Sequence, residues 1–435
     1  MRIFLFVTVA TLAAPRESAR AQNLSVMVQA IPLVTRADPT ATRSILTEGY
    51  LSQPMIMAHG WLGGLQARVT LNLEGLTLER GELSTGAYGE SYVDRRHPHA
   101  YVHELLIGAE RAYTGVNGSL FVGRGFAPFG SDDPMTRPFE KYPVNHHLAQ
   151  VLERVVAIAA VRKGFVIGEI GAFNGDEPTT ARSSPDYGRF GDSWAARLTV
   201  TPLAGAELSG SVARVTSPEL QAGHGLDQRK TSIAARYSRM SESSWRYGLA
   251  EYAHTGERDK DEQVTSLSSA LVEGGYCSRG VILSARLERT DRPEEAQLAD
   301  PFRTPRPALD LGNLGVSRWT TTTVSVSSPA AWFAGAYARP FVEVARIAVA
   351  AGKPAGVFNP DFRYGTNRMW MISAGVRLRG GALHDRMGRY GAALPAMFGG
   401  THSAPPESDM MPGMPHQMPA AAAANQHSSN SRCSL

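Results

Sequence analysis

Two pairs of histidines carry side chains that could bind a metal ion. His97 and His99 precede a predicted strand, and His146 and His147 are adjacent near the end of a long predicted loop. Imidazoles at this spacing can bind zinc, copper or nickel. Neither pair comes with a complete set of ligands, so ordinary loop histidines are the alternative interpretation.

A methionine-rich segment near the C-terminus has the softest ligands in the chain. Met410, Met411, Met414 and Met418 surround His416 within nine residues. Thioether and imidazole groups suit Cu(I), so this segment could capture copper. The alternative is a low-complexity extension in which methionine is enriched by chance. We expect no other cofactor.

The rest of the chain has a rhythm of paired strands. Segments 193–201 and 205–213 alternate in polarity and are joined by a short turn, and a long polar loop, 216–230, follows them. The same succession of strand, short turn, strand and long loop occurs twice more before residue 318. Short turns on one side and long loops on the other are typical of outer-membrane β-barrels. The sequence therefore predicts an all-β, antiparallel, up-and-down transmembrane barrel.

The strand count follows from the same rhythm. We predict about 14 strands, within a range of roughly 12 to 16, because such barrels prefer even numbers. The predicted strands are 63–74, 101–111, 117–127, 151–161, 164–174, 193–201, 205–213, 231–239, 244–253, 265–275, 280–289, 318–328, 331–349 and 368–379. The predicted long loops, extracellular or folded into the lumen, are 75–100, 128–150, 175–192, 214–230, 254–264, 290–317 and 350–367.

Alternation within the strands separates a lipid face from a lumen face. Trp194 and Leu198 fall on one face of their strand and Arg197 on the other. On strand 101–111, His103 shares the face of Leu105, which predicts a position at the membrane interface, whereas Glu104 should point into the lumen. A soluble periplasmic sandwich is the alternative. Mid-strand charges of both signs and the segregated loop lengths favour the barrel.

The two ends of the chain differ from its middle. Residues 1–21 read as a cleaved signal peptide, with Arg2 at the start, a short apolar core and Ala19-Arg20-Ala21 at the cleavage site. We predict a periplasmic segment over 22–60, which could hide one more hairpin, and the barrel over 61–380. The tail, 381–435, is rich in Met, His, Pro and Ala and is predicted to be disordered.

Composition excludes several classes of function. The formal charge of +4 and the pI near 9.1 come without a concentrated basic patch, so we expect no nucleic-acid partner. After the signal peptide the chain has no stretch of ~20 apolar residues that would form a spanning helix. Cys277 and Cys433 are far apart and follow no metal spacing, and the sequence favours two unpaired cysteines over a disulfide.

A local resemblance to a known family narrows the class of outer-membrane barrel. The residues that carry it are Val122-Gly123-Arg124-Gly125-Phe126-Ala127-Pro128-Phe129-Gly130, Leu152-Glu153-Arg154, Arg162-Lys163-Gly164 and Gly171-Ala172-Phe173-Asn174-Gly175. The first resembles the strand-end pattern G-K-F-x-x-P-F-G, and the last is similar to G-x-F-N-G, of the phosphate-selective porin O and P family. The resemblance covers residues 118–175, and elsewhere only the strand rhythm is shared.

The resemblance implies a water-filled channel whose selectivity is set by basic side chains on the lumen wall and on inserted loops. A narrow pore lined by arginine or lysine favours anions. The candidates for this role are Arg124, Arg137, Lys141, Arg154, Arg162 and Lys163. The alternative is that these are turn residues, or wall arginines paired with Glu140, Glu153 and Glu169. Phosphate specificity is not carried over, because no run of closely spaced lysines is present.

The leading hypothesis is therefore a porin-like channel in the outer membrane of a Gram-negative-type envelope. It would pass small hydrophilic solutes by diffusion, with a preference for anions as a finer expectation. Its partners would be outer-membrane lipid, the outer-membrane assembly machinery and, in a homotrimer, its own copies. The alternative is an outer-membrane copper-handling protein that uses the tail. An enzyme comes third and is not expected, since neither G-x-S-x-G nor H-E-x-x-H occurs.

Overall fold

The structure is a computed structural model that describes part of the chain. The described residues are 24–38, 45–62, 64–77, 100–131, 133–178, 181–218, 220, 224–241, 244–295, 313–333, 336–354, 356–381, 386–394 and 433. None of the helices in these ranges is long and apolar enough to cross a membrane.

Antiparallel strands make up most of the regular structure in these ranges. In chain order they are β1 (Leu24–Asp38), β2 (Leu46–Leu62), β3 (Leu65–Asn72), β4 (Val102–Tyr113), β5 (Val116–Gly125), β6 (Arg154–Lys163), β7 (Val166–Phe173), β8 (Ser193–Leu203), β9 (Ala206–Val215), β10 (Asp227–Met240), β11 (Ser244–Asp259), β12 (Glu262–Ser278), β13 (Val281–Glu295), β14 (Asn313–Ser327), β15 (Ala331–Phe333), β16 (Ala336–Ala351) and β17 (Arg368–Gly381). Three one-turn α-helices accompany them, namely α1 (Glu74–Thr77), α2 (His146–Ala149) and α3 (Pro360–Arg363).

These strands close into a barrel of 16, and the predicted number of about 14 was wrong. Each strand from β1 to β14 pairs with its neighbour in the chain, β14 pairs with β16, and β17 pairs back to β1. The seventeenth strand, β15, covers only three residues and pairs with the start of β16. The closing pair runs from Met27 opposite Gly381 to Asp38 opposite Trp370.

The two missed strands lie at the N-terminal end. Residues 22–60 were predicted to be a periplasmic segment that could hide one more hairpin, and β1 and β2 form such a hairpin as part of the wall. Their alternation is hard to see in the sequence because the register shifts between Gln29 and Ile31 and prolines stand at positions 32 and 54. Pairing with β17 across the closure depends on contacts that are distant in sequence.

The connections separate into two sides. On the short-turn side, the turn from β4 to β5 (114–115) and the turn from β6 to β7 (164–165) have two residues each. The last strand, β17, also ends on this side. On the long-loop side, residues 126–153 join β5 to β6, and residues 174–192 join β7 to β8. The predicted long loop 254–264 was wrong, since β11 continues to Asp259 and β12 begins at Glu262. By the usual orientation of such barrels, the short-turn side is periplasmic.

The wall has an apolar outer face and a polar inner face. Trp194 and Leu198 are exposed while Arg197 between them is buried, which confirms the predicted alternation. Exposed apolar side chains of the outer face include Leu105, Ile107, Leu120, Val122, Ile170, Leu208, Ile233, Val272, Leu283, Leu287, Val324, Val342 and Val344. A bilayer requires such a surface, whereas a soluble monomer rarely exposes apolar patches of this extent.

His103 breaks the alternation of its strand. The register between β3 and β4 shifts at this point, because Thr70 faces Glu104 and the next residue, Leu71, faces Val102. The extra residue is a bulge, which lets His103 and Glu104 both turn inward, and both side chains are fully buried. The prediction for Glu104 is confirmed, and the predicted interfacial position of His103 was wrong.

Candidate functional site

Charged side chains of the inner wall are buried. In a barrel of this size with a water-filled lumen, inward side chains would be exposed to that water. Here six inward acidic and basic residues are each at most 5 % exposed, namely Arg68, Glu104, Glu169, Glu251, Glu273 and Glu343. Protein therefore fills the lumen at their level, and two segments of the chain make the contacts.

The first segment is the connection between β5 and β6, here called the inserted loop (residues 126–153). It crosses to the opposite wall, where Glu343 of β16 accepts hydrogen bonds at 3.0 Å from the backbone N–H groups of Glu140 and Lys141. Arg286 of β13 donates to the carbonyl oxygen of Lys141 at 2.8 Å. Arg377 of β17 donates to that of Phe139 at 3.0 Å. Wall side chains thus hold the loop by its backbone.

Side chains of the inserted loop add ionic contacts at the same wall. The Lys141 ammonium donates to the Tyr50 hydroxyl at 2.5 Å and lies 3.1 Å from the Glu140 carboxylate. Burial lowers the pKa of Lys141, although the Glu140 and Glu343 carboxylates oppose that shift. Arg137 lies 3.6 Å from Glu273. These contacts stabilise the loop inside the barrel, where water cannot replace them.

The second segment is the stretch after β17, here called the terminal segment (residues 386–394). It enters the lumen from the short-turn side. The Arg389 guanidinium donates to Glu169 at 3.0 Å and to the Thr199 hydroxyl at 2.9 Å. Arg386 donates to Glu207 at 2.5 Å. Burial and the charge of Arg197 lower the pKa of Arg389 to about 10.

The wall also holds the backbone of the terminal segment. Arg197 donates to the carbonyl oxygen of Gly388 at 2.8 Å, and Arg162 donates to that of Ala392 at 3.0 Å. Ser119 accepts from the N–H of Ala392 at 3.0 Å. The tail, 381–435, was predicted to be disordered throughout, and these contacts correct that prediction for residues 386–394. The contacts come from distant strands, which is why composition gave no sign of them.

The two inserted segments contact each other inside the barrel. The Tyr390 hydroxyl accepts from the N–H of Phe126 at 3.0 Å, and Phe126 begins the inserted loop. Met387 of the terminal segment is fully buried in a cluster with Met27, Met57 and Tyr142. An apolar cluster therefore joins the terminal segment, the inserted loop and the wall strands β1 and β2, in addition to the charged contacts.

A disulfide joins Cys277, at the end of β12, to Cys433. The sequence favoured unpaired cysteines, because 156 residues separate the two and their proximity depends on the closed barrel. Cys277 is fully buried beside Trp245 and Ile282. The bond ties the C-terminal end of the chain to the short-turn side of the wall.

The six predicted selectivity residues fall into two groups. Arg124 has the strand position of the outward-facing Leu120 and Val122 and donates to the carbonyl oxygen of Ser183, and Lys163 is exposed beside a short turn. The two therefore lie away from the lumen. The other four are directed inward and contact protein groups, as described for Arg137, Lys141 and Arg162; Arg154 pairs with Glu177 at 2.6 Å.

Of the two histidine pairs, His146 and His147 lie within the described residues. His146 and His147 are in α2 of the inserted loop, with ring centroids 5.4 Å apart, and burial lowers the pKa of His147. Among the described residues no group of three or more His, Cys, Asp or Glu side chains is arranged to hold a metal ion. His97, His99 and the copper candidates Met410, Met411, Met414, His416 and Met418 lie outside the described residues, so metal binding there stays a prediction.

Sequence reasoning missed a buried row of ionisable groups where the inserted loop joins the wall. His103 Nδ1 lies 2.6 Å from Glu153, and its Nε2 lies 3.8 Å from Asp133 Oδ2. His146 Nε2 lies 3.7 Å from the same oxygen. Burial alone would raise the pKa of Asp133, but the two histidines hold it well below its usual range. The bulge turns His103 inward and so brings it to Glu153 and Asp133.

A closed barrel with an apolar exterior, a polar wall and segments folded into its lumen defines a transmembrane β-barrel. Solved structures with a similar fold include a loop-deletion form of OmpT, an outer membrane protein of Vibrio cholerae, at 11% identity over 82% of this chain and 98% of that chain, with a TM-score of 0.45. An anion-selective porin from Comamonas acidovorans is 10% identical over 82% of this chain and 99% of that one, with a TM-score of 0.44. OccK2 of Pseudomonas aeruginosa, in complex with glucuronate, is 8% identical over 83% and 98%, with a TM-score of 0.38.

These likenesses concern the fold alone. No protein family matches this sequence, and neither does any curated protein. The resemblance of residues 118–175 to the phosphate-selective porin O and P family therefore stays a prediction.

Proposed function

We propose that this protein is an outer-membrane, porin-like channel for small hydrophilic solutes, closed in the conformation described here. The observation that carries the proposal is the buried, charged inner wall. A wall with this many ionisable groups suits a lumen that holds water for part of the time. A barrel that served only as a membrane anchor would have no need of such a lumen.

We propose that the channel opens when the terminal segment withdraws from the lumen. The inserted loop is anchored at both of its ends, by β5 and β6, and contacts the opposite wall through residues 137–145. The terminal segment is tethered on the short-turn side alone, by β17 and by the disulfide of Cys433, and its hydrogen bonds to the wall lie on β3 to β9. Withdrawing it would open that half of the lumen and leave the inserted loop as a constriction.

A weak preference for anions is the finer part of the proposal. Arg162 contacts the terminal segment through a carbonyl oxygen, so withdrawal would present its guanidinium to the passage. Glu169, in contrast, keeps Arg197 as a partner at 2.7 Å. The exposed guanidinium of Arg162 would then act on solutes in the narrow passage and favour anions. Assembly as a trimer stays a prediction; the trimer form of Vibrio cholerae OmpT is a precedent among proteins of similar fold.

Permeation into vesicles tests the proposal. The undocked variant replaces Arg386, Arg389 and Tyr390 by alanine in the full-length chain. A matched control variant replaces Arg214, Arg246 and Tyr276, two arginines and a tyrosine of the outer surface, by alanine. We expect vesicles with the undocked variant to swell in small sugars at least about tenfold faster than those with the wild type or the control. Equal, slow swelling of all three inserted proteins would contradict a channel opened by withdrawal.

A further inference from the structure

The terminal segment occupies a groove in the lumen wall that has the properties of a peptide-binding site. We propose that this groove binds short, arginine-containing peptides in an extended form, and that the terminal segment is their intramolecular substitute. The inference deepens the proposed function by naming a class of solute. It rests on that function for passage through the membrane, but not for binding.

Backbone recognition is the first feature of the groove. Three wall arginines on three different strands donate to successive parts of the segment's backbone. Arg68 donates to the carbonyl oxygen of Arg386 at 3.0 Å, while Arg197 and Arg162 donate to those of Gly388 and Ala392. Every peptide has such carbonyl groups, so these contacts do not depend on sequence. They would hold any short peptide that can enter.

Recognition of arginine is the second feature. Glu169 and Thr199 receive the Arg389 guanidinium from two neighbouring strands, and the Glu169 side chain is only 1 % exposed. A charged hydrogen bond at such a depth is worth more than one at the surface. A peptide without a cation at this position would leave Glu169 with Arg197 alone. The groove therefore selects for arginine at one position.

The groove is organised independently of the segment. Glu169 and Arg197 form two hydrogen bonds of 2.7 Å to each other, which fixes the carboxylate that receives Arg389. Glu104 defines a second side-chain position in the groove. It accepts hydrogen bonds from Thr70 at 2.7 Å and from the Tyr390 hydroxyl at 2.8 Å. Pre-organised partners lower the cost of ordering a ligand. The preferred peptide thus carries arginine followed by tyrosine.

Binding of a peptide in trans tests the inference. The undocked variant is the full-length protein in which binding of its own terminal segment to the groove is weakened. Circular dichroism checks that it keeps its strands. The probe is a fluorescent hexapeptide with the sequence of residues 387–392, and a second probe has citrulline, the neutral analogue, in place of arginine. We expect fluorescence anisotropy to show binding of the arginine peptide that is about tenfold or more tighter than that of the citrulline peptide.

Wall variants show whether the groove is the site. Glu169→Gln in the undocked background should abolish the preference for arginine over citrulline. The matched Glu273→Gln, which changes an arginine-paired carboxylate at the opposite wall, should keep it. Equal affinity for the two peptides, no binding of either, or the same effect of both wall variants would overturn the inference. Conductance of the same preparation is a separate readout, so binding without a channel would refute the proposed function and leave the site intact.

Discussion

Tyr390, which follows the last strand, donates its hydroxyl proton to Glu104 of β4 at 2.8 Å and accepts from the N–H of Phe126 at 3.0 Å. One hydroxyl group thus links the terminal segment, the barrel wall and the start of the inserted loop. The tyrosine ring is buried against Phe121, and the Arg68 guanidinium lies 5.4 Å from its centroid. Burial and the Glu104 charge raise the pKa of Tyr390, so the hydroxyl stays protonated and can donate.

Replacing Tyr390 by phenylalanine should loosen the terminal segment without unfolding the barrel. The ring and its packing remain, but Glu104 and the N–H of Phe126 each lose a partner inside the protein. We expect docking of the segment to weaken by about 1–3 kcal/mol. Hydrogen exchange of residues 386–394 measures this, with Tyr113→Phe at the exposed end of β4 as the matched control. Unchanged protection in Tyr390→Phe would show that the hydroxyl contacts do not hold the segment.

Cleavage of the disulfide should increase withdrawal of the terminal segment. The bond between Cys277 and Cys433 keeps the end of the tail near the wall, which raises the effective concentration of the segment at its groove. We expect mild reduction to speed hydrogen exchange of residues 386–394 several-fold, while the strands keep their protection. A variant with both cysteines changed to serine should exchange fast and be insensitive to the reductant. Equal exchange before and after reduction would exclude a role for the bond in docking.

Much of the wall could be predicted from the sequence because alternation is local. Each strand from 193 to 289 was placed near its observed position, since neighbouring strands and turns are adjacent in the chain. The strand predictions failed at Pro32, at the register shift in β1 and at the bulge of His103. At a shift or bulge, one extra residue exchanges the inward and outward faces of the strand. Asp259 and Glu262 were assigned to a loop because polar residues continue the strands beyond the apolar band.

The contents of the lumen could not be predicted in the same way. Their contacts join residues such as Arg389 and Glu169 that are more than 200 positions apart. Many use backbone atoms of the inserted segments, which every sequence possesses. The pairing of Cys277 with Cys433 likewise depends on where the tail returns. Candidate residues such as Arg137 and Lys141 were identified by type, but their partners required the fold.

Asp133 should make the inserted loop sensitive to strong acid only. Its pKa is held below the ordinary value of 3.8, so its contribution to stability is complete above about pH 4 and is lost as the pH falls below that value. Hydrogen exchange of residues 133–152 should therefore be constant from neutral pH to about pH 4 and accelerate in stronger acid. Asp133→Asn should expose the loop about tenfold more at neutral pH and respond less to acid. A transition of the wild type between about pH 6 and 7 would instead assign control to the histidines.

Arg162 and Lys163 provide a matched pair for the anion preference. The two are adjacent in β6, but Arg162 is directed into the lumen and Lys163 is exposed outside it. In the undocked variant, Arg162→Gln should shift the reversal potential in a salt gradient towards cations. Lys163→Gln should leave it unchanged. Equal shifts for the two would mean that general surface charge, not the lumen wall, sets the preference.

The most direct test of a channel closed by its own tail is single-channel recording of the wild type and the undocked variant in planar bilayers. We expect long closed periods for the wild type and stable open steps for the undocked variant. The control variant with alanine at 214, 246 and 276 should behave as the wild type. Stable open steps of equal size in the wild type, or inserted undocked protein that never conducts, would show that the terminal segment does not close a channel.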